Sequence, residues 1–227
     1  MVSDACDPGV PACSKGASES VSEPRVVQEI EGGFVVDKPS GWHTVAGRGE
    51  PCVETWLGER DPEQQHLPEA GLVHRLDHGT SGCLLVARDL ESSERYQEGM
   101  RNESIHKRYM VLVRGRMHRD GFFLRYFTSR YKRSKKITVS ETGIKKHQGS
   151  CKWSVVGTKG NRTLIDLKLI GPGRRHQVRA GLASLGFPIV GDDLYGGDEA
   201  DRLMLHASRL SSPTFSVDIP APFGLEG

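Results

Sequence analysis

Hydrophobic residues fall along this chain mainly in short runs and alternations, with one stretch at helical spacing. Phe34-Val35-Val36 reads as a buried strand, and Lys38-Pro39-Ser40-Gly41-Trp42 as the turn after it. From Leu72 to Ala87 the pattern predicts strand, turn, strand: an apolar approach, a polar turn around Asp77, then Cys83-Leu84-Leu85-Val86-Ala87. Asp89 is placed to N-cap a helix over 90–103. Tyr109 to Val113 and Phe122 to Phe127 predict strands, and Leu164 to Ile170 alternates apolar and polar as a half-buried strand does. Residues 130–150 have few apolar positions and many cations, which predicts a loop or an exposed hairpin. Arg174 to Leu185 then switches to helical spacing, with Val178, Leu182 and Leu185 on one stripe and His176, Arg179 and Ala183 on the next. Gly186 and Pro188 end it. Strand outweighs helix, so the expected class is α+β, built on a mixed, largely antiparallel sheet. Residues 1–27, rich in Ser, Pro, Gly and Ala without hydrophobic period, read as a poorly ordered tail ahead of one domain over 28–227.

Composition narrows the function classes. No apolar stretch approaches the roughly 18 residues that would span a bilayer, and the N-terminus has neither the basic nor the apolar region of a secretory signal. The five cysteines are widely spaced, odd in number and without a CxxC pair, so neither a disulfide framework nor a zinc site is expected. A cytoplasmic protein without metal or membrane partner, monomeric in the simplest case, fits this composition. The net charge of +2 conceals an asymmetry: residues 1–100 carry a balance of −10, whereas residues 101–152 carry +12. A basic excess of that size suits a polyanion such as a phosphate backbone. Lys132, Arg133, Lys135 and Lys136 are its densest part.

The candidate chemistry centres on His74-Arg75-Leu76-Asp77-His78-Gly79-Thr80-Ser81-Gly82. An Asp in such a turn is by default a turn-capping residue. It becomes a nucleophile or base when it is partly withdrawn from water and a cation keeps it ionised.

Here the sequence closely resembles the RluA-type pseudouridine synthases. The resemblance rests on VVDKPSGWHTV (35–45), LVHRLDHGTSGCLLVARD (72–89), KRYMVLVRG (107–115), GRRHQVRAGLASLGFPIVGDDLYGG (173–197) and LMLHASRL (203–210), in family order. It implies a pseudouridine synthase fold and an isomerase that cleaves the N1–C1′ bond of a uridine in RNA, turns the base and rejoins it through C5, with no cofactor. The family's aspartate falls on Asp77, its tyrosine on Tyr109 and its arginine on Arg179. The resemblance further implies substrate contacts from His74, Arg75, Lys107, Arg174, His176, Gln177 and Leu205. Arg75 is divided between RNA contact and turn support, and His74 and His176 are expected to orient neighbours. Lys38 is a candidate phosphate contact, Asp192 and Asp193 are expected to cap or pair locally, and His206 belongs to the core. Arg179, always charged, is expected to hold Asp77 as a bidentate pair. Whether Asp77 attacks C1′ or takes a C2′ proton is left open by the residues. The target base must be flipped out of a folded RNA, a tRNA or rRNA stem-loop. A catalytically silent RNA-binding or RNA-remodelling protein is the alternative.

Two departures stand out. Gly171-Pro172-Gly173-Arg174 replaces the usual Thr-Gly-Arg, and Ala180-Gly181-Leu182 places glycine within the predicted helix, where it weakens helix formation. The 27-residue tail is shorter than the RNA-binding module that many relatives carry, which would leave recognition to the catalytic domain.

Overall fold

The computed structural model describes residues 22–129, 131 and 134–226. Its strands are β1 (Arg25–Ile30), β2 (Gly33–Lys38), β3 (Ser81–Ala87), β4 (His106–Arg114), β5 (Gly121–Thr128), β6 (Thr138–Ser140), β7 (Gln148–Lys159), β8 (Arg162–Ile170), β9 (Leu205–Ser211) and β10 (Ser216–Asp218). The helices are α1 (Val53–Arg60), α2 (Leu90–Arg101) and α3 (Gln177–Ser184). The expected class holds: these strands form one mixed sheet in the order β1-β2-β3-β9-β4-β8-β7-β5-β6, with β10 on β9. Every pairing is antiparallel except β3 with β9, where Ser81 meets His206 and Gly82 meets Ala207. Gly82 is required at that junction. Its φ is +106°, and a Cβ there would lie 2.3 Å from the Ala207 carbonyl oxygen.

The central strands carry the core. All of β3 is buried, and Val111, Leu112 and Val113 of β4 meet Ile165, Leu164 and Thr163 of β8 across the ladder. Asp89 caps α2 as expected, its carboxylate accepting the Ser92 amide at 2.7 Å. α2 packs on β3 and α3 on β5 and β6.

The structure differs from the sequence pattern in three places. β1 starts at Arg25, so residues 25–27 are strand rather than tail, while residues 1–21 lie outside the described residues. The segment before Asp77 is not a strand. Leu72 makes an isolated bridge to Val86 and the Val73 amide donates to the Leu85 carbonyl. The His74 ring then accepts the Leu85 N–H at 3.1 Å, ending the ladder with a side chain and letting the chain leave the sheet. α3 begins at Gln177, not Arg174. His176 stands before it with left-handed backbone (φ 53°, ψ 22°), which breaks the helical run.

Gly181 is explained by packing. A Cβ at this position would lie 2.3 Å from Cζ of Phe123, a ring only 2% exposed on β5. The missing side chain lets α3 settle onto the sheet.

Candidate active site

Asp77 opens a tight turn in which the Thr80 amide donates to its carbonyl at 3.0 Å. The segment after β2 clamps that turn from outside. Lys38, completely buried, donates to the carbonyls of Pro39 (2.8 Å), Trp42 (2.7 Å) and His78 (3.2 Å). The Gly41 amide donates to the same His78 carbonyl, and Ser40 Oγ donates to the Gly79 carbonyl at 2.9 Å. Thr44 Oγ1 donates to the Leu76 carbonyl and accepts the Leu76 amide. Lys38 is therefore no phosphate contact: its donors are all taken, and burial lowers its ammonium to about 7 despite the opposing pull of Asp77. The Lys-Pro-x-Gly turn acts as the support for Asp77.

The carboxylate of Asp77 is about a quarter exposed, and Arg179 Nη1 donates to its Oδ2 at 3.2 Å. The bidentate pair expected between these two residues goes elsewhere. Arg179 Nε and Nη2 both bind Asp192, at 2.8 Å each, and the Asp192 side chain has no exposure. The reason is solvation. Asp192, without water, needs the full fork to carry its charge, whereas Asp77 faces the cleft. Burial opposes the charge on Arg179, but the bonds and charge of Asp192, with Asp77, push its basicity further up. Asp192 also accepts the Tyr195 amide at 3.2 Å, so the expected local cap is present alongside a pairing that spacing did not reveal.

The cluster lies in a cleft of about 1050 Å³ lined by Tyr109, Leu205, Lys107, His176 and Arg75 among others, a volume that accommodates a nucleotide with its neighbours. Tyr109 and Leu205 are 6% and 3% exposed. The Tyr109 hydroxyl has no hydrogen-bond partner among the described residues, and burial, reinforced by Cys151 and Asp77, pushes its ionisation up. It is held as a phenol, able to donate a hydrogen bond. Lys107 Nζ is likewise without a hydrogen-bond partner among the described residues, and burial lowers it to about 8. An underbonded ammonium suits a carbonyl or phosphate oxygen.

Other expected contacts are differently engaged. His74, whose basicity burial lowers to about 3, is the neutral acceptor that ends the β3 ladder. Gln177 accepts the Arg174 amide and donates to the Ser150 carbonyl and Cys151 Sγ, leaving no amide proton for a ligand. Arg174 Nε donates to the Gln148 carbonyl. Arg75 is exposed at the cleft without a partner among the described residues, so it gives the turn no side-chain support. His206 is core, bonded to Ser81 Oγ at 2.7 Å and the Ile219 carbonyl at 3.0 Å. His176 places Nε2 4.0 Å from Asp77 Oδ1.

The basic stretch is not one patch. Arg108 pairs with Asp166, Arg114 with Asp198 and Arg125 with Glu141. Lys135 and Lys136 are exposed, with Arg175 Nη2 donating to the carbonyls of Ser134 and Lys135. Lys132 and Arg133 lie outside the described residues. Among the described residues no His, Cys, Asp and Glu group is arranged to hold a metal ion, and no helix is long and apolar enough to cross a membrane.

Comparison with known proteins agrees with this geometry. The chain is 33% identical over 175 residues to the ribosomal large subunit pseudouridine synthase D of Xylella fastidiosa, an alignment covering 76% of this chain and 51% of the relative. It is 34% identical over 192 residues to the dual-specificity RNA pseudouridine synthase RluA of Vibrio cholerae, covering 82% and 75%. The chain thus spans about half the length of the synthase D relatives. Among solved structures, human RNA pseudouridylate synthase domain containing 1 superposes with a TM-score of 0.72 at 25% identity, over 93% of this chain and 89% of the other. The fold is therefore that of a pseudouridine synthase domain. The profile of the RNA pseudouridylate synthases matches residues 33–184, and with Asp77, Tyr109 and Arg179 gathered in one cleft the chain belongs to that family.

Proposed function

We propose that this protein isomerises a uridine in structured RNA, a tRNA or rRNA stem-loop, to pseudouridine, with Asp77 as the reacting carboxylate. The observation that carries this reading is a part-exposed carboxylate at a cleft wall, held by one arm of a largely buried arginine, with an unpaired phenol in the same cleft. Cleaving N1–C1′ builds positive charge at C1′ and negative charge on the departing uracil. Asp77 meets the first, either by attack on C1′ or by taking the C2′ proton. Tyr109 and Leu205 hold the detached base as it turns, and Lys107 faces its developing negative charge. Rejoining through C5 releases the C5 proton while N1 gains one, so atoms and electrons balance without a cofactor. The base reaches the cleft by flipping, at about a few kcal/mol. Phosphate contacts from Lys135 and Lys136, together with Lys132 and Arg133, offset that cost. Relatives named for the large ribosomal subunit favour rRNA as the first pool to try.

The test is pseudouridine mapping on separate tRNA and rRNA pools treated with wild type or Asp77→Asn. Product at a defined site with wild type alone supports the reading. RNA bound by both proteins without product in either pool would replace it with the silent RNA-binding alternative.

A further inference from the structure

Tyr195 touches Asp192, Arg179 and His176 together, yet neither the family motif nor the proposed chemistry gives it a task. Its amide donates to Asp192 Oδ1, and its ring lies 5.4 Å beneath the Arg179 guanidinium. Its hydroxyl has two partners, the Ile137 backbone N–H at 2.9 Å and His176 Nδ1 at 2.9 Å. The histidine meets the tyrosine ring edge-on, at 88° and 5.7 Å between centroids.

The Ile137 amide can only donate, so it occupies one lone pair of the phenol oxygen and leaves the phenol proton available to Nδ1. With the phenol proton on that bond Nδ1 is the acceptor, and the single ring proton of neutral His176 resides on Nε2. That nitrogen is the one 4.0 Å from Asp77 Oδ1. The opposite tautomer would face a lone pair toward a carboxylate. Asp77 is thus approached from two sides, by Arg179 at Oδ2 and by an imidazole N–H at Oδ1. His176 reaches this position through left-handed backbone, a conformation unfavourable to a non-glycine residue. The basic segment is tied to this cluster twice: Ile137 binds Tyr195, and Arg175, next to His176, holds the carbonyls of Ser134 and Lys135.

We propose that Tyr195 is a positioning residue: its hydroxyl sets the tautomer of His176 so that an N–H faces Asp77, and it joins that histidine to the segment that carries Lys135 and Lys136. The inference rests on the reading of Asp77 as the reacting carboxylate. A cation bound to phosphate on this segment steadies Ile137, and through it the orientation of the carboxylate across the cleft.

The experiment uses the full chain with ¹⁵N-labelled histidine, and tritium release from tRNA and rRNA pools labelled at uridine C5. In wild type, His176 should give the signature of a bare Nδ1 and a protonated Nε2. Tyr195→Phe, which keeps the ring under Arg179, should lose that pure signature and slow tritium release about tenfold or more, with RNA affinity within twofold. A protonated Nδ1 in wild type overturns the inference whether or not any variant folds or any pool reacts. So does wild-type turnover by a folded Tyr195→Phe. Asp77→Asn is run beside it. If that variant still releases tritium, the reading of Asp77 falls; if it is silent while Tyr195→Phe is normal, only the role of Tyr195 falls.

Discussion

Asp192→Asn separates the two tasks that Arg179 performs. Asn is the same size but neutral, and it offers one oxygen where Asp192 now accepts from both Nε and Nη2 at 2.8 Å. Removing one partner of a buried ion pair costs about 3–5 kcal/mol. Here Asn keeps one bond and Asp77 still accepts from Nη1, so the loss should lie at about 2–3 kcal/mol. For a chain of this size that lowers the melting temperature by about 6–9 °C. The catalytic effect comes from geometry. With half its fork free, the guanidinium turns toward Asp77, and displacement of a reacting group by about 1 Å costs on the order of 10² in rate. Thermal melts and single-turnover tritium release on the same preparation check both, with exposed Asp193→Asn as the neighbouring control. Melting within 1 °C of wild type would show that Asp192 does not hold the arginine. Lowered stability with unchanged turnover would show that the fork is structural and that Arg179 needs no such aim.

Gly181→Ala should destabilise the fold even though alanine favours a helix by about 1 kcal/mol. Its Cβ would lie 2.3 Å from Phe123, itself wedged beside Phe127 and Trp153, and overpacking of that kind costs about 1–3 kcal/mol. A urea titration showing stabilisation would contradict this, and Phe123→Leu should relieve the cost. His74 should make stability depend on acid. Its folded pKa of about 3 lies below the unfolded 6.5, so its contribution is complete above pH 6.5 and is lost as pH falls toward 3, at up to about 1.4 kcal/mol per unit. His74→Gln should flatten the pH dependence of the urea midpoint between pH 6.5 and 4; an unchanged slope would move the effect to other groups.

Local pattern revealed much of this protein because many of its decisive features are contiguous. The strands at Phe34 and Leu164, the α2 cap at Asp89 and the turn at Asp77 each depend on neighbours in sequence, where backbone propensity and side-chain period act directly. The resemblance carried Asp77, Tyr109 and Arg179 to one site, and they line one cleft. What the pattern misplaced was the partner of each polar group. Lys38 read as a candidate phosphate contact and is buried under three carbonyls, one of them 40 residues away. Arg179 read as the bidentate partner of Asp77 and turns its fork to Asp192. Gly181 read as a weakened helix and is a seat for Phe123. By itself the sequence determined several of the central elements, the class of fold and the family to which Asp77, Tyr109 and Arg179 point. Only the tertiary structure decided which charges share a bond, because β9 enters between β3 and β4 and brings together segments that no local rule relates. Once those segments meet, burial rather than spacing selects the partner: a charge removed from water takes the strongest bonds within reach, and the more exposed one takes what is left.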